Sequence, residues 1–494
     1  MKRFFSGFVS VVAGNYSAIL LSFGINVVLT RALGAPEFGH FALLIMVSQL
    51  LAFVVSNWTL AALVHFGARE FTASGTVAEA YWTRTCLVLP WLAAAFVTAW
   101  MLNGWLARYL DVPGWGVWLV FAHFLLTSTF NTACAVLQAI GHMERYGAAL
   151  FFDRALTLAL IVVGRQARLL DALSALACYV TSALIVSVWV FRSVGRSAMT
   201  PSRVTGGGCS AMWKFSLPLI GSTWAGLFGT QWIDYVLIKS YLPLSELGLY
   251  SLGYQVAGVV QQVTIITSTL LLPQFSIMVG EGREAELRRI VSRVIPYWLL
   301  GFSALLGVVL ASARIVVPMI FGDAFTGSVP PLALLIVATM AVAILNSFTP
   351  LLTAKGATWT ISGVCLLSAS VNVAMNLALI PRFGIVGAAW ATAIACAVHA
   401  GLILAVVQAH LGVPLGRYPL LAAPVLAVYL CSNLVEGAVF YVAAAAAVGA
   451  TAFGVVRVFR LFVHSDLVLF SDVDLPSWVR SGLIKMFSLR GGFA

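Results

Sequence analysis

Long apolar runs separated by short polar breaks are the feature that most restricts how this chain can fold. A segment that crosses the hydrocarbon core of a bilayer needs about 20 mostly apolar residues, and the chain holds about fourteen such runs. Backbone groups inside a bilayer must hydrogen-bond within their own segment, so continuous runs of this length predict helices and exclude barrel strands. The runs lie near residues 5–30, 41–64, 82–105, 113–138, 146–163, 170–191, 215–240, 246–278, 294–320, 330–354, 358–380, 384–409, 418–434 and 438–456.

Composition excludes a soluble fold. Hydrophobic residues make up 61% of the 494 residues and charged residues only 9%, whereas a soluble domain is usually about 25% charged. The net charge of +11 does not indicate nucleic acid as a partner, because the basic residues are scattered singly between apolar runs. Phosphate-binding, zinc-protease and nucleophile-elbow motifs are absent from the sequence. The chain is therefore predicted not to be an enzyme and to need no cofactor.

The basic residues predict the orientation of the chain. If the N-terminus is cytoplasmic, most of the 28 Lys and Arg residues fall on the cytoplasmic side, as short loops normally require. This orientation also places the C-terminus in the cytoplasm. The longest polar pieces, residues 192–213 and the tail from 457, are both cytoplasmic in this arrangement. The absence of a large outer loop counts against a membrane glycosyltransferase or polymerase.

An internal repeat predicts the domain organisation. Residues 33–41 recur as residues 242–250, with a shared frame of Leu, Glu, Gly and an aromatic residue between consecutive spans. Both copies keep the same orientation, which is typical of the parallel repeats of transporters. We expect two pseudo-symmetric six-helix lobes, over residues 1–206 and 207–412. Two additional helices and a cytoplasmic tail fill residues 413–494.

Polar stripes on the first helices of each lobe predict a wettable cavity between them. The alternative is packing, since small and amide residues also hold membrane helices together without any ligand. The stripes consist of Asn15, Ser22, Asn26 and Thr30 on span one, Ser222, Gly226, Thr230 and Gln231 on span seven, and Gln255, Gln262 and Thr269 on span eight.

Charges inside the spans are the next candidates, because they are costly there and tend to be functional. Asp234 is predicted to exchange a proton or hold a sodium ion, and the alternative is a structural pair with a cation such as Lys239. Arg31 and Lys239 end equivalent spans and could hold an anionic ligand at the mouth of a cavity, or simply extend to the interface. Asp153 and Arg154 are adjacent on a helix, so each is expected to need a different partner.

Three segments resemble a known family. They are Arg31 to Gly39, the run from Asp234 to Tyr250, and the motif from Asn372 and Asn376 through Gly384 to Thr392. These segments resemble the polysaccharide-biosynthesis flippases, namely the Wzx-type O-antigen and exopolysaccharide flippases of the MATE-like multidrug/oligosaccharidyl-lipid/polysaccharide exporter superfamily. The likeness runs over essentially the whole chain and identifies the superfamily better than the substrate.

The resemblance implies a flippase of the bacterial inner membrane. Its substrate would be an undecaprenyl-diphosphate-linked oligosaccharide, moved by alternating access with H⁺ or Na⁺ as the coupling ion. Arg31, Lys239 and Arg154 are then the candidate contacts for the diphosphate, and a polysaccharide polymerase and chain-length regulator are the implied protein partners. A lipid II flippase and a drug/cation antiporter share the architecture and remain alternatives, and a structural scaffold subunit is a further one.

Overall fold

The computed structural model describes residues 2–194, 204–228, 231–435 and 437–459, with side chains described outside 2–12, 218–219 and 221–228. Within these ranges the chain forms helices and no strand. The helices are α1 (Lys2–Val55), α2 (Leu60–Ser74), α3 (Ala78–Met101), α4 (Asn103–Leu110), α5 (Gly114–Ala139), α6 (Met143–Gln166), α7 (Ala172–Val194), α8 (Gly206–Phe228), α9 (Gln231–Tyr241), α10 (Leu244–Gly280), α11 (Glu284–Arg289), α12 (Ile295–Phe321), α13 (Val329–Ala354), α14 (Thr358–Leu411), α15 (Ala423–Leu434) and α16 (Ala438–Val458).

The prediction of an all-helical, multi-pass membrane protein is confirmed. Ten helical segments of the described chain are long and apolar enough to cross a membrane. Two of them, Ala13–Val55 with 43 residues and Thr358–Leu411 with 54, each hold enough residues for two crossings of about 20 residues. The shorter apolar segment Tyr418–Leu434 adds to these. The count of about fourteen spans stays a prediction.

Two of the expected breaks between spans are kinks at a single glycine. The first two apolar runs are separated at residues 31–40, and within this stretch two helices meet at the non-helical residue Gly34 (φ 73°, ψ 176°) inside α1. Likewise α14 bends at Gly384 (φ 58°, ψ −142°) between its two halves. Only glycine adopts a positive φ at low cost, so one residue redirects each helix without a loop. The polar piece expected at 192–213 is also shorter, because α7 extends to Val194 and α8 begins at Gly206.

The chain divides into two compact units. The first contains Met1–Val259, Val317–Leu332 and Cys365–Ala395, and its core includes fully buried side chains from α2, α5 and α6. The second contains Val260–Val316, Ala333–Val364 and Cys396–Ala494. In the second unit the Tyr418 hydroxyl donates to the Val291 carbonyl, and the Ser303 hydroxyl accepts from the Val425 amide at 3.3 Å. The predicted lobes at 1–206 and 207–412 stay a prediction.

The two copies of the sequence repeat contact each other through their glycines, within the first unit. A Cβ added to Gly39 would lie 1.9 Å from the Leu244 carbonyl oxygen, and one added to Gly248 would lie 2.1 Å from the Ala35 oxygen. Gly39 and Gly248 occupy the same place in the repeat, and so do Ala35 and Leu244. The contact is therefore reciprocal, as at a local two-fold axis, and the glycines let the backbones of α1 and α10 touch.

This contact predicts an unequal response to two alanine substitutions on α10. Gly248→Ala should lower the free energy of unfolding by about 1–3 kcal/mol, because the new methyl group meets backbone that cannot move aside. Gly258→Ala is the matched control, since nothing lies within 4 Å of its added Cβ. The melting temperature of the purified protein, followed by tryptophan fluorescence, measures both. Equal melting temperatures for the two variants would contradict the close crossing.

Candidate functional site

Asp234 lies in the first turn of α9 and is fully buried. Its carboxylate accepts four side-chain hydrogen bonds and has no ion pair among the described residues. The donors are the Tyr250 hydroxyl at 2.6 Å, Asn376 Nδ2 at 2.7 Å, the Thr392 hydroxyl at 3.0 Å and Asn372 Nδ2 at 3.4 Å. A carboxylate this deeply buried needs such donors, because an unsatisfied charge in low dielectric is very costly.

The kink in α14 allows one helix to supply three of these donors. Asn372 and Asn376 are four residues apart, so they share a face of the half that precedes Gly384. Thr392 belongs to the half that follows the kink. The two halves also pack back on each other, since a Cβ added to Gly387 would lie 2.3 Å from the Leu379 carbonyl oxygen. Both halves therefore reach the same carboxylate.

The motif at residues 372–392 thus encloses Asp234, a role that the sequence analysis did not assign to it. The signal that could have revealed it is the pair of asparagines at i and i+4 in an otherwise apolar helix. The alternative partner considered for Asp234 is not used: Lys239 is half-buried and forms no side-chain hydrogen bond or ion pair with any residue that the structure describes. Lys239 lies five residues after Asp234 on α9, and this spacing places the two side chains on different faces of the helix.

A polar cavity of about 380 Å³ lies within the first unit. Side chains of α1, α5, α6, α7 and α10 line it, and the predicted residues Asn26, Arg154 and Gln255 are among them. The polar lining consists of Ser22, Asn26, Gln49, His123, Thr127, Asn131, Asp153, Arg154, Tyr179 and Gln255. Amides, hydroxyls and one guanidinium in a membrane helix bundle suit a ligand with hydroxyl groups and negative charge.

Arg154 and Asp153 form an ion pair, with Arg154 Nε 3.4 Å from Asp153 Oδ2. The expectation that each needs a different partner is wrong, because the long arginine side chain can fold back where two short side chains could not. The guanidinium also lies 5.6 Å from the centre of the Tyr179 ring. The hydroxyl of Ser182 donates to the Asp153 main-chain oxygen at 2.7 Å and to its carboxylate at 3.2 Å. The Arg154 guanidinium carries five N–H donors, and its contact with the Asp153 carboxylate occupies only some of them.

His123, which the sequence analysis did not assign to a cavity, forms part of the same wall. It is buried, with Nδ1 2.5 Å from the Ser48 hydroxyl and Nε2 3.4 Å from the Thr127 hydroxyl. Its contacts tie α1 to α5 and hold the ring at the cavity surface. Among the described residues no group of three His, Cys, Asp or Glu side chains could hold a metal ion.

The other predicted site residues do not line this cavity. Arg31 is exposed and donates to the carbonyl oxygens of Ile320 at 2.7 Å and Met319 at 2.5 Å, at the end of α12. A cation is favourable at this negative end of a helix dipole. Asn15 on α1 is exposed, Gln231 begins α9 half-buried, and Gln262 on α10 belongs to the second unit. The described side chains do not include Ser222, Gly226 or Thr230.

The described chain is a multi-pass helical membrane protein with a polar cavity among its helices. The structure is similar to the lipid II flippase MurJ in an inward closed conformation, with a TM-score of 0.65 and 11% identity over 93% of this chain and 100% of that one. It is also similar to a MATE multidrug resistance transporter in an inward-facing conformation, with a TM-score of 0.60 and 11% identity over 80% of this chain and 94% of that one. At these identities the likeness shows the MATE-like fold.

The sequence identifies the family. The profile of the polysaccharide biosynthesis protein family matches residues 28–330, and the chain belongs to that family. A relative in Haloferax volcanii, described as a probable low-salt glycan biosynthesis flippase Agl15, is 26% identical over 235 residues. This match covers 47% of the chain and 48% of the relative, so it spans about half the length of each. The predicted resemblance to MATE-like polysaccharide flippases is thereby confirmed.

The enclosure of Asp234 predicts that Tyr250 contributes to stability. Tyr250→Phe should lower the free energy of unfolding by about 1.5–3 kcal/mol, because it removes a hydrogen bond to a charged group. Tyr241→Phe serves as the control, since that ring is 50% exposed. Thermal melting of both variants in the same detergent gives the comparison. A Tyr250→Phe protein as stable as the control would show that the hydroxyl does not satisfy the carboxylate.

Proposed function

We propose that this chain is a flippase that moves an undecaprenyl-diphosphate-linked oligosaccharide across the bacterial inner membrane by alternating access. The observation that carries the proposal is the polar cavity of about 380 Å³ with Arg154 in its wall. Membership of the polysaccharide biosynthesis family supports it. The head of the substrate would enter the cavity, whereas the lipid tail would stay in the bilayer because a polyprenyl chain is far too large for this volume.

The cavity residues suggest how the head is recognised. The Arg154 guanidinium would bind the diphosphate, since planar N–H donors match phosphate oxygens. Asn26 and Gln255 approach from α1 and α10, and their amides both donate and accept, as sugar hydroxyls require. A cavity with a single arginine balanced by Asp153 suits a neutral repeat unit, in which the diphosphate is the only anion.

The alternative functions are a lipid II flippase, with lipid II as the substrate, and a drug/cation antiporter, with a drug as the substrate. Both are kept because the fold is similar to the lipid II flippase MurJ and to a MATE multidrug resistance transporter. A membrane glycosyltransferase or polymerase is less compatible with flippase and transporter relatives. Both termini in the cytoplasm, and a polymerase and chain-length regulator as partners, belong to this proposal as well.

A translocation assay tests the role of Arg154. Purified protein in liposomes should carry a fluorescent lipid-diphosphate oligosaccharide away from a membrane-impermeant quencher. Arg154→Ala should slow this at least tenfold, a loss of about 1.4 kcal/mol in transition-state stabilisation. Arg69→Ala, on the exposed face of α2, is the matched control and should move substrate at the wild-type rate. Equal rates for the two variants would exclude Arg154 from substrate binding, and translocation of lipid II alone would favour that substrate.

Ion coupling through Asp234 is tested by the same assay under imposed H⁺ and Na⁺ gradients. Asp234→Asn keeps the shape of the side chain and one acceptor oxygen, and it should remove the acceleration by the gradient while leaving gradient-free exchange. Asp153→Asn is the informative comparison, since that carboxylate lines the cavity. Normal gradient-driven transport by Asp234→Asn would show that the buried carboxylate only stabilises the fold. Loss of coupling in Asp153→Asn alone would assign the role to the cavity instead.

A further inference from the structure

Arg84 is a buried cation that the proposed transport cycle does not use. It lies in the second turn of α3 and is 5% exposed. Its Nε has no hydrogen-bond partner, and one terminal nitrogen reaches the Ser56 carbonyl oxygen at 3.4 Å. No acidic side chain of the described chain forms an ion pair with it. A buried charge in a membrane helix normally has a counter-charge, because desolvation costs several kcal/mol.

A small cavity of about 150 Å³ lies beside this guanidinium. Its wall combines Arg84 and the Tyr81 ring from α3 with Ser128 and Thr129 from α5. All four serine and threonine hydroxyls of the lining donate their hydrogens inside the protein: Ser128 to Ser56 Oγ at 2.6 Å, and Thr129, Thr132 and Thr85 to the main-chain oxygens of Leu125, Ser128 and Tyr81 at 2.8, 2.6 and 2.8 Å. The donors that remain for an occupant are therefore those of Arg84 and the Tyr81 hydroxyl. This combination favours a small anion.

A second cavity of about 300 Å³ is also lined by α3 and α5, together with α1 and α4. Val55 lines both cavities, and the second runs past Trp91 to Thr98 on α3. Apart from Thr98, its lining side chains carry no polar group other than the Trp91 ring nitrogen. Leu89, in the wall of the first cavity, is 57% exposed and marks where the gap opens on the outer surface of the helices.

We propose that a membrane phospholipid binds between α3 and α5, with its phosphate at Arg84 and one acyl chain in the apolar cavity. The lipid supplies the missing negative charge and the apolar volume together, whereas a free phosphate would supply only the charge. The length is sufficient, since α3 rises ~21 Å from Arg84 to Thr98, more than the ~15 Å that one leaflet contributes to the hydrocarbon core.

The lipid site is separate from the proposed substrate cavity, and the two share no lining residue. They lie on different faces of α5: Phe124, Ser128 and Thr129 face the lipid site, while His123 and Thr127 face the polar cavity. A bound lipid would therefore support the α5 wall of the polar cavity from behind. It would not compete with the transported molecule.

Native mass spectrometry of the full chain, incubated with phosphatidylglycerol in detergent, tests this proposal. The wild type should retain one phosphatidylglycerol per chain, and Arg84→Leu should lower its occupancy at least tenfold. Arg69→Leu removes an equal charge from the exposed face of α2 and should keep the lipid. Equal occupancy in the two variants, or no retained lipid in the wild type, would overturn the site.

Two further ligands test whether binding needs both the phosphate and the acyl chains of the lipid. Diacylglycerol, which lacks the phosphate, and inorganic phosphate, which lacks the chains, should both fail to bind stably at the same concentration. If inorganic phosphate displaces phosphatidylglycerol from the wild type but not from Arg69→Leu, the displacement depends on Arg69, and charge recognition at Arg84 is overturned. If inorganic phosphate alone binds stably, the occupant of the site is a free anion and not a lipid.

A second variant keeps the test valid if Arg84→Leu does not fold. Leu89→Trp keeps the cation and fills the opening of the gap with a large side chain at an exposed, apolar position. It should lower phosphatidylglycerol occupancy several-fold while the melting temperature without added lipid stays at the wild-type value. Undiminished occupancy in Leu89→Trp would place the lipid elsewhere.

Discussion

Hydrocarbon cannot hydrogen-bond to a polypeptide, and the structure of this chain depends on that constraint. Every backbone amide within the membrane must find its hydrogen-bond partner inside the chain. Long apolar runs therefore form helices, because a helix satisfies its backbone hydrogen bonds within one segment. The same constraint acts on polar side chains. Asp234 is enclosed by donors from two helices, α10 and α14, and Asp153 is held by Ser182 and Arg154. Polar groups therefore occur in clusters.

Glycine determines where these helices bend and where they touch. Gly34 and Gly384 are the non-helical residues at which two helices meet within α1 and within α14. Gly39 and Gly248 allow α1 and α10 to meet backbone to backbone. The kink at Gly384 has a direct consequence for the polar chemistry, because it brings Asn376 and Thr392 to one carboxylate.

The three polar features of the first unit differ in how their charges are balanced. Asp234 has neutral donors, is fully buried and does not line the polar cavity, which suits a structural or a coupling role. Arg154 shares its charge with Asp153 and still faces an open polar volume, which suits ligand binding. Arg84 has no acidic partner among the described residues, and its two adjoining cavities match a lipid phosphate and its chain. The arrangement of charge, more than its amount, separates these roles.

Much of this could be predicted from the sequence, because apolar run length and helical periodicity are local properties. They identify the all-helical membrane fold, the repeat and the unusual position of Asp234. Of the predicted cavity residues, Asn26, Arg154 and Gln255 do share a cavity, whereas Arg31 contacts a helix end instead. The sequence could not reveal that residues 372–392 enclose Asp234 or that Arg84 lacks a counter-charge. Those facts depend on which helices pack together, and packing joins residues far apart in the chain. The sequence by itself determined the membrane helices and their repeat, and only the tertiary structure decided which polar side chains meet.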